Sequence, residues 1–311
     1  HLFMREGSDE KNLHDLISVV NEFNAQNVSM VCDDRDPLDL TANGHMDHNV
    51  RMAVSLGMNP IRAIQAASIN TARHFGMRGR GAVAPGYRAD MVVLDDLEEF
   101  SVWKAFLAGR DVAGIGFAPK GEPTARNTVK INLSGKMLEP SQLEIVKVKD
   151  EVRCIGVIPG QIITRSLTLA PRFEEGLAVG DPYRDLAKLA VVERHGVNGN
   201  VALGFMHGLG IARGAVAGTV AHDSHNLIIA GVSDQDMALA GNTLAKTGGG
   251  YCVVADGEVL ALLELPLAGL MSLEPLEDVV EAYGKLRAAF RAVAINPEVY
   301  THPFMAMSFS S

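Results

Sequence analysis

Residues 28–37 read Val28-Ser29-Met30-Val31-Cys32-Asp33-Asp34-Arg35-Asp36-Pro37, a short apolar run that halts at a cluster of charges. Such a run is what a strand buried on both faces requires, and strands of that kind belong to parallel sheets covered by helices. Upstream, Leu13, Leu16, Ile17 and Val20 recur at the spacing of an amphipathic helix, with Ser8 as its expected N-cap. Before them His1-Leu2-Phe3-Met4 is a further apolar stretch, ending at Arg5-Glu6-Gly7-Ser8. The order strand, helix, strand predicts an α/β fold with polar residues at the C-terminal ends of the strands. In such folds loops at that end build active sites, because helices cover the faces.

Downstream, Met46, Val50, Ala53 and Val54 share a helical face up to Gly57, and Asn59-Pro60 supplies an N-cap followed by proline at the first helical position. Another helix start is expected at Asn70-Thr71. The pattern then changes: Gly79, Gly81, Pro85 and Gly86 punctuate runs such as Met91–Leu94 and Val102–Leu107, which read as strands of a small β unit. Residues 117–128, rich in Gly, Pro and polar side chains, read as a linker. From about Leu143 strand-like runs follow at 155–158, 201–206, 215–221 and 227–230. A helix is expected from Ser233, with Asp236 completing a capping box, to the Gly248-Gly249-Gly250 run. Asp256-Gly257 is a hairpin signal, and a last helix is expected over 275–294.

The 311 residues hold 28 Lys and Arg against 37 Asp and Glu, a net charge of −9, and are 47% hydrophobic. Charged residues reach only 21%, so the chain can bury a core and is not disordered. Acidity, 5% aromatics and the lack of a basic cluster argue against nucleic acid as a partner. The longest stretch without Asp, Glu, Lys or Arg, 195–212, is too polar and glycine-rich to span a bilayer, so no membrane partner is expected. Three widely spaced cysteines, Cys32, Cys154 and Cys252, form no disulfide framework and predict a cytoplasmic, reducing environment. With His1 first and no signal-peptide pattern, a piece of a longer polypeptide is expected.

Asp33 and Asp34, directly after the buried strand, suit a divalent metal or a general base, and equally suit a simple turn; the residues alone leave both open. Asp34, one position on, is expected to point elsewhere or to brace Arg35. The pairs His45/His48 and His222/His225 have a spacing at which two imidazoles can share a metal, with Asp47 and Asp223 beside them. For His45/His48 a structural role at a helix start is the better reading. The run Ala221-His222-Asp223-Ser224-His225-Asn226 packs polar side chains between two apolar strands, a binding-site signal that Arg5-Glu6 shares by placement. The triple glycine lacks a following Lys-Ser/Thr and reads as a helix C-cap rather than a phosphate loop, and Cys32 reads as an inert buried thiol.

The segment 31–37, followed by Gly44-His45-Met46-Asp47-His48, resembles the bacterial adenine deaminase family of the amidohydrolase superfamily. Ala66-Ala67-Ser68-Ile69-Asn70-Thr71-Ala72, leading into 79–90, resembles the superfamily's return from a metal-dependent (β/α)8 barrel to its flanking β-sandwich. Val191-Val192-Glu193-Arg194-His195, Ala221 to Asn226 and the triple glycine resemble the C-terminal domain particular to the family. The resemblance implies the last barrel strands over 1–80, part of the sandwich over 81–135 and an α+β C-terminal domain over 143–311. It further implies deamination of adenine to hypoxanthine and ammonia by a metal-activated hydroxide, with manganese or iron in a binuclear centre. Asp33 is then the catalytic aspartate and a metal ligand; the His-x-His pair, which this sequence lacks, and the other ligands are expected upstream of His1. Arg5, Glu6, His222, Asp223 and His225 are candidate adenine contacts, and a homo-oligomer is expected. The alternatives are a related cyclic amidohydrolase acting on an amide, which the C-terminal domain argues against, or a non-catalytic scaffold or oligomerisation piece.

Overall fold

The apolar run ending at Cys32 forms a strand, and the start of the chain forms its parallel neighbour. Strand β1 is Leu2–Arg5 and β2 is Val28–Val31, paired from Leu2 with Val28 to Arg5 with Val31. The structure is a computed structural model describing residues 1–116, 137–298 and 302–310, so the expected linker at 117–128 lies outside the described residues. The chain divides into two units, His1–Glu122 and Pro123–Ser311.

In the first unit β2 is buried on both sides. Val28 and Met30 pack with Met4, Leu13, Ala53, Ala63 and Ala66, while Ser29 between them is fully buried and hydrogen-bonds the Thr71 hydroxyl at 3.0 Å. A buried polar side chain on a strand needs such a partner, since stranding it costs about 1–3 kcal/mol. Between the strands lies α1, Leu13–Leu16, continued by a 3-10 turn over Ile17–Val19. Its N-cap position is Asn12 rather than Ser8, whose hydroxyl instead accepts the Asp36 N–H at 2.9 Å and ties the two strand ends together.

After β2 come α2 (Pro37–Asn43), α3 (Met46–Ser55), α4 (Pro60–Ala67) and α5 (Ile69–His74). Asn59 caps α4 by accepting the N–H groups of Ile61 and Arg62. The start expected at Asn70-Thr71 falls at Ile69, with Ser68 as N-cap, because Asn70 faces inward and donates to the carbonyls of Ala25 and Val28 at 2.8 and 2.9 Å. The small β unit is an antiparallel sheet in which β4 (Val102–Leu107) lies between β3 (Met91–Leu94) and β5 (Arg110–Asp111). Among the described residues of this unit, neither the parallel pair nor the antiparallel sheet closes on itself.

The second unit holds β6 (Ile145–Val146), β7 (Val152–Gly156), β8 (Arg165–Leu169), β9 (Arg172–Glu174), β10 (Leu177–Val179), β11 (Leu186–Val192), β12 (Val201–His207), β13 (Ala215–Gly218) and β14 (Leu227–Gly231). Helix α6 (Asp234–Thr247), the hairpin β15 (Gly250–Ala255) and β16 (Glu258–Glu264), α7 (Leu276–Val293) and α8 (Pro303–Ser308) follow. Eight strands form one sheet in the order β16-β15-β13-β14-β11-β12-β7-β8, antiparallel except where β12 meets β7. A side sheet has the order β6-β10-β9. Ala190, Val192, Ala217, Leu227, Ile229, Cys252 and Val254 from the sheet join Met237 and Leu244 of α6 in one buried cluster. Each fully buried Leu, Ile, Val or Met contributes about 1.5–3 kcal/mol, which makes this layer the main source of the unit's stability.

Asp256 and Gly257 turn the hairpin with φ of 55° and 78°, the positive angles that a type I′ turn demands. Three expectations change, the strand placed at 215–221 ending already at Gly218. The strand placed at 155–158 starts earlier, at Val152 opposite Leu169, and ends before Pro159-Gly160 turns the chain. The capping box at Ser233 is half made: Ser233 accepts the Asp236 N–H, but the Asp236 carboxylate accepts the Gly257 N–H at 2.9 Å and pins the hairpin to α6. Among the described residues no helix is long and apolar enough to cross a membrane.

Candidate functional site

The ends of β1 and β2 bring two carboxylates, Asp33 and Glu10, onto one guanidinium. Asp33 leaves β2 with φ of 55°, a left-handed conformation that Asp tolerates better than most side chains, and its side chain is 61% exposed. The Arg5 guanidinium pairs with Asp33 and, at 2.5 Å, with Glu10. Asp34 points elsewhere, accepting the backbone N–H groups of Asp9 and Glu10 at 3.0 and 3.4 Å, while Arg35 donates to the Gly44 carbonyl at 3.1 Å. Asp34 thus holds the loop that follows β1. Burial raises the Asp34 carboxyl against those two N–H groups. Burial, helped by Asp34, Asp33 and Asp9 and opposed by Arg5, pushes Glu10 up to about 7. Glu6 is buried, with Lys11 3.3 Å away.

The chemistry of this set bears on a metal. Asp34 Oδ1 and Glu10 Oε1 are buried without a hydrogen-bond partner among the described residues, which leaves two carboxylate oxygens open to a cation. Asp33 offers solvent-facing oxygens to it. A manganese or iron centre also calls for imidazoles, so the cluster fits one ligand position rather than a whole centre. His45 and His48 do not supply the rest: His45 opens α3 with its N–H bonded to Asp47 at 2.8 Å, and His48, lowered by burial and then by Arg35, belongs to the same helix start.

In the second unit the polar run 221–226 joins β13 to β14. The His222 N–H donates to the Ser308 carbonyl at 2.9 Å, and its ring stacks on Phe309 with centroids 4.9 Å apart. The His225 ring lies 5.4 Å from that of His222, and its Nδ1 accepts the Ala221 N–H at 3.2 Å, so Nε2 carries the proton of the neutral form. Burial, then the His222 and Arg194 charges, lower the His225 imidazole, keeping it neutral at pH 7. Asp223 is exposed. The structure therefore brings Arg5 and Asp33 together at one site and His222 and His225 at another. Reading single residues missed Glu10, whose setting comes from Asp33 and Asp34 across the strand ends, and Arg194, whose acceptors are distant backbone carbonyls that leave no residue-type signal. Gly248, at φ 86°, caps α6 as expected.

Residues 5–129 match the amidohydrolase family and residues 161–311 the adenine deaminase C-terminal domain. The chain is 50% identical over 312 residues to an adenine deaminase of Oleidesulfovibrio alaskensis, covering 100% of this chain and 54% of that protein. It is 44% identical to adenine deaminase 2 of Carboxydothermus hydrogenoformans, with the same coverage, and 42% identical to an adenine deaminase of Cereibacter sphaeroides over 99% of this chain and 54% of that one. The chain spans about half the length of the curated relatives it matches.

Proposed function

Because the chain is related over its whole length to the adenine deaminases, an amidohydrolase segment followed by their C-terminal domain, we propose that it forms the C-terminal part of an enzyme that hydrolyses adenine to hypoxanthine and ammonia. In this reading 1–80 closes a (β/α)8 barrel begun by a preceding segment, 81–135 belongs to a β-sandwich and 143–311 is the C-terminal domain. The observation that carries it is Asp33, open to solvent at the C-terminal end of β2 within the amidohydrolase match.

A divalent metal, manganese or iron in a binuclear centre, supplies acidification of the attacking water near neutral pH when bound. Asp33 would be one carboxylate ligand of that centre. Its oxygen takes the proton as water adds to the purine carbon that bears the amino group, and returns it to that nitrogen as the carbon–nitrogen bond breaks and ammonia leaves. Arg5 holds the Asp33 carboxylate in place and is itself anchored by Glu10. Glu6 is a candidate purine contact beside Asp33, and His222, Asp223 and the Nε2–H of neutral His225 are the candidate adenine contacts within the second unit. A homo-oligomer is part of this reading, as is a cytoplasmic location, which three free, buried cysteines support.

The test is ammonia release from adenine by the whole polypeptide, with metal content measured on the same sample. Turnover of cyclic amides but not of adenine would overturn the reading in favour of a related amidohydrolase, against which the match over 161–311 already weighs. Full metal occupancy without any hydrolysis would leave the scaffold reading.

A further inference from the structure

The run Glu193-Arg194-His195 follows β11, and each of its three side chains reaches into a loop. Glu193 accepts the N–H groups of His195, Val197, Asn198 and Gly199, closing the turn between β11 and β12. His195 Nε2 lies 2.9 Å from the Ser224 carbonyl. Arg194 goes deepest: it is 1% exposed, its Nε donates to the His225 carbonyl and its Nη2 donates to the Ala268 carbonyl at 3.0 Å. Those two acceptors belong to separate segments, the polar loop between β13 and β14 and the 267–271 turn after β16.

A guanidinium in this position is costly. Among the described residues no carboxylate pairs with it, and Nη1 has no hydrogen-bond partner. Burial alone shifts its pKa downward. A long apolar side chain would fill the volume without desolvating a charge, so packing does not explain it. What only a planar fork can do is span two carbonyls at once with a rigid geometry. The surroundings are cut to admit it: Gly269 has φ of 74°, and a Cβ there would come within 2.7 Å of Arg194 Nη1. His225 and Ala268, the two acceptors, both hold left-handed backbones, φ of 50° and 59°, which non-glycine residues keep only where their neighbours over-determine them.

We propose that Arg194 is a positioning residue, clamping the 221–226 loop to the 267–271 turn so that the His222 and His225 rings are presented in one arrangement. The link to catalysis rests on the reading of His222 and His225 as purine contacts; the clamp itself does not. Arg194→Lys keeps the charge but loses the fork. Gly269→Ala keeps the guanidinium and displaces it, while its own positive φ strains the 267–271 turn, so for this variant exchange is read in 221–226.

Both variants, made in the whole metal-loaded polypeptide, are compared with wild type by hydrogen–deuterium exchange, by the His225 imidazole nitrogen resonances and by kcat and KM for adenine. Exchange in 221–226 and 267–271 rises about tenfold or more, the factor expected for losing one charge-assisted hydrogen bond, while β11 and β14 stay protected. The His225 Nδ1 resonance moves toward that of an unbonded imidazole, and KM rises more than kcat falls. Unchanged exchange in both segments, or a uniform rise across the sheet, overturns the clamp. If exchange rises locally while His225→Ala leaves kcat and KM as in wild type, the clamp stands and the assignment of the histidines to substrate falls.

Discussion

At the residue scale the first consequence falls on Asp33. If it shuttles the proton of the attacking water, Asp33→Asn loses kcat by on the order of 10² or more, at full metal occupancy. Near-normal turnover with the metal retained would sink that role. Asp34→Ala acts differently, because it removes the acceptor of the Asp9 and Glu10 N–H groups; the expected effect is on stability rather than turnover, about 1–3 kcal/mol read from the urea midpoint. Glu10 adds a pH dependence. The folded protein keeps the Glu10 proton up to about pH 7, whereas the unfolded chain releases it near 4.5. The group therefore favours folding fully below 4.5, and that contribution fades as pH rises through 7, by on the order of 1 to 3 kcal/mol. Glu10→Gln flattens this part of a urea-denaturation series run from pH 4.5 to 8, and an unaltered slope in the variant would show that Glu10 is not the group responsible. Asp33 was legible in sequence because it directly follows an apolar run. Glu10 was not, since its character comes from Arg5, Asp33 and Asp34 meeting it across a strand end.

At the element scale, local chemistry was readable wherever it was local. Asn59-Pro60, Asp256-Gly257 and the α6 C-cap at Gly248 each act through their own backbone, and each is where the spacing places it. Strand β11 was not read. Leu186–Val192 carries Lys188 as its third residue, which breaks the apolar run, and only the fold shows that Lys188 is buried against Asp234, 2.7 Å away and 46 residues on. The start of α6 shows the same limit from the other side: Asp236 reads as a partner for Ser233, but its carboxylate is taken by the hairpin. Asp236→Ala should therefore loosen the β15–β16 turn as well as cost about 1 kcal/mol, and Ser233→Ala should cost a similar amount without touching the hairpin. Amide exchange at Gly257 separates the two; equal exchange in both variants would refute the tie.

At the scale of the whole molecule, the proposed function limits what this chain can do by itself. A binuclear site needs several convergent ligands, of which the proposed function gives this chain Asp33 alone, and the sequence holds no His-x-His. The two strands that carry the cluster pair only with each other among the described residues, leaving unpaired edges, and Phe23, Val83 and Trp103 are exposed by 91%, 83% and 65%. Open edges and exposed apolar side chains invite association with whatever chain is available. With 54% of the length of its relatives, the 311-residue chain should therefore hold fewer than two tightly bound transition metals, release no ammonia from adenine and aggregate as it is concentrated. The full-length polypeptide should be dispersed, metal-loaded and active. Elemental analysis, an ammonia assay and light scattering on both proteins decide the matter. Two firmly held metals in the shorter chain would mean that its ligands come from these residues after all, and that β2 with Asp33 has been assigned to the wrong place in the barrel.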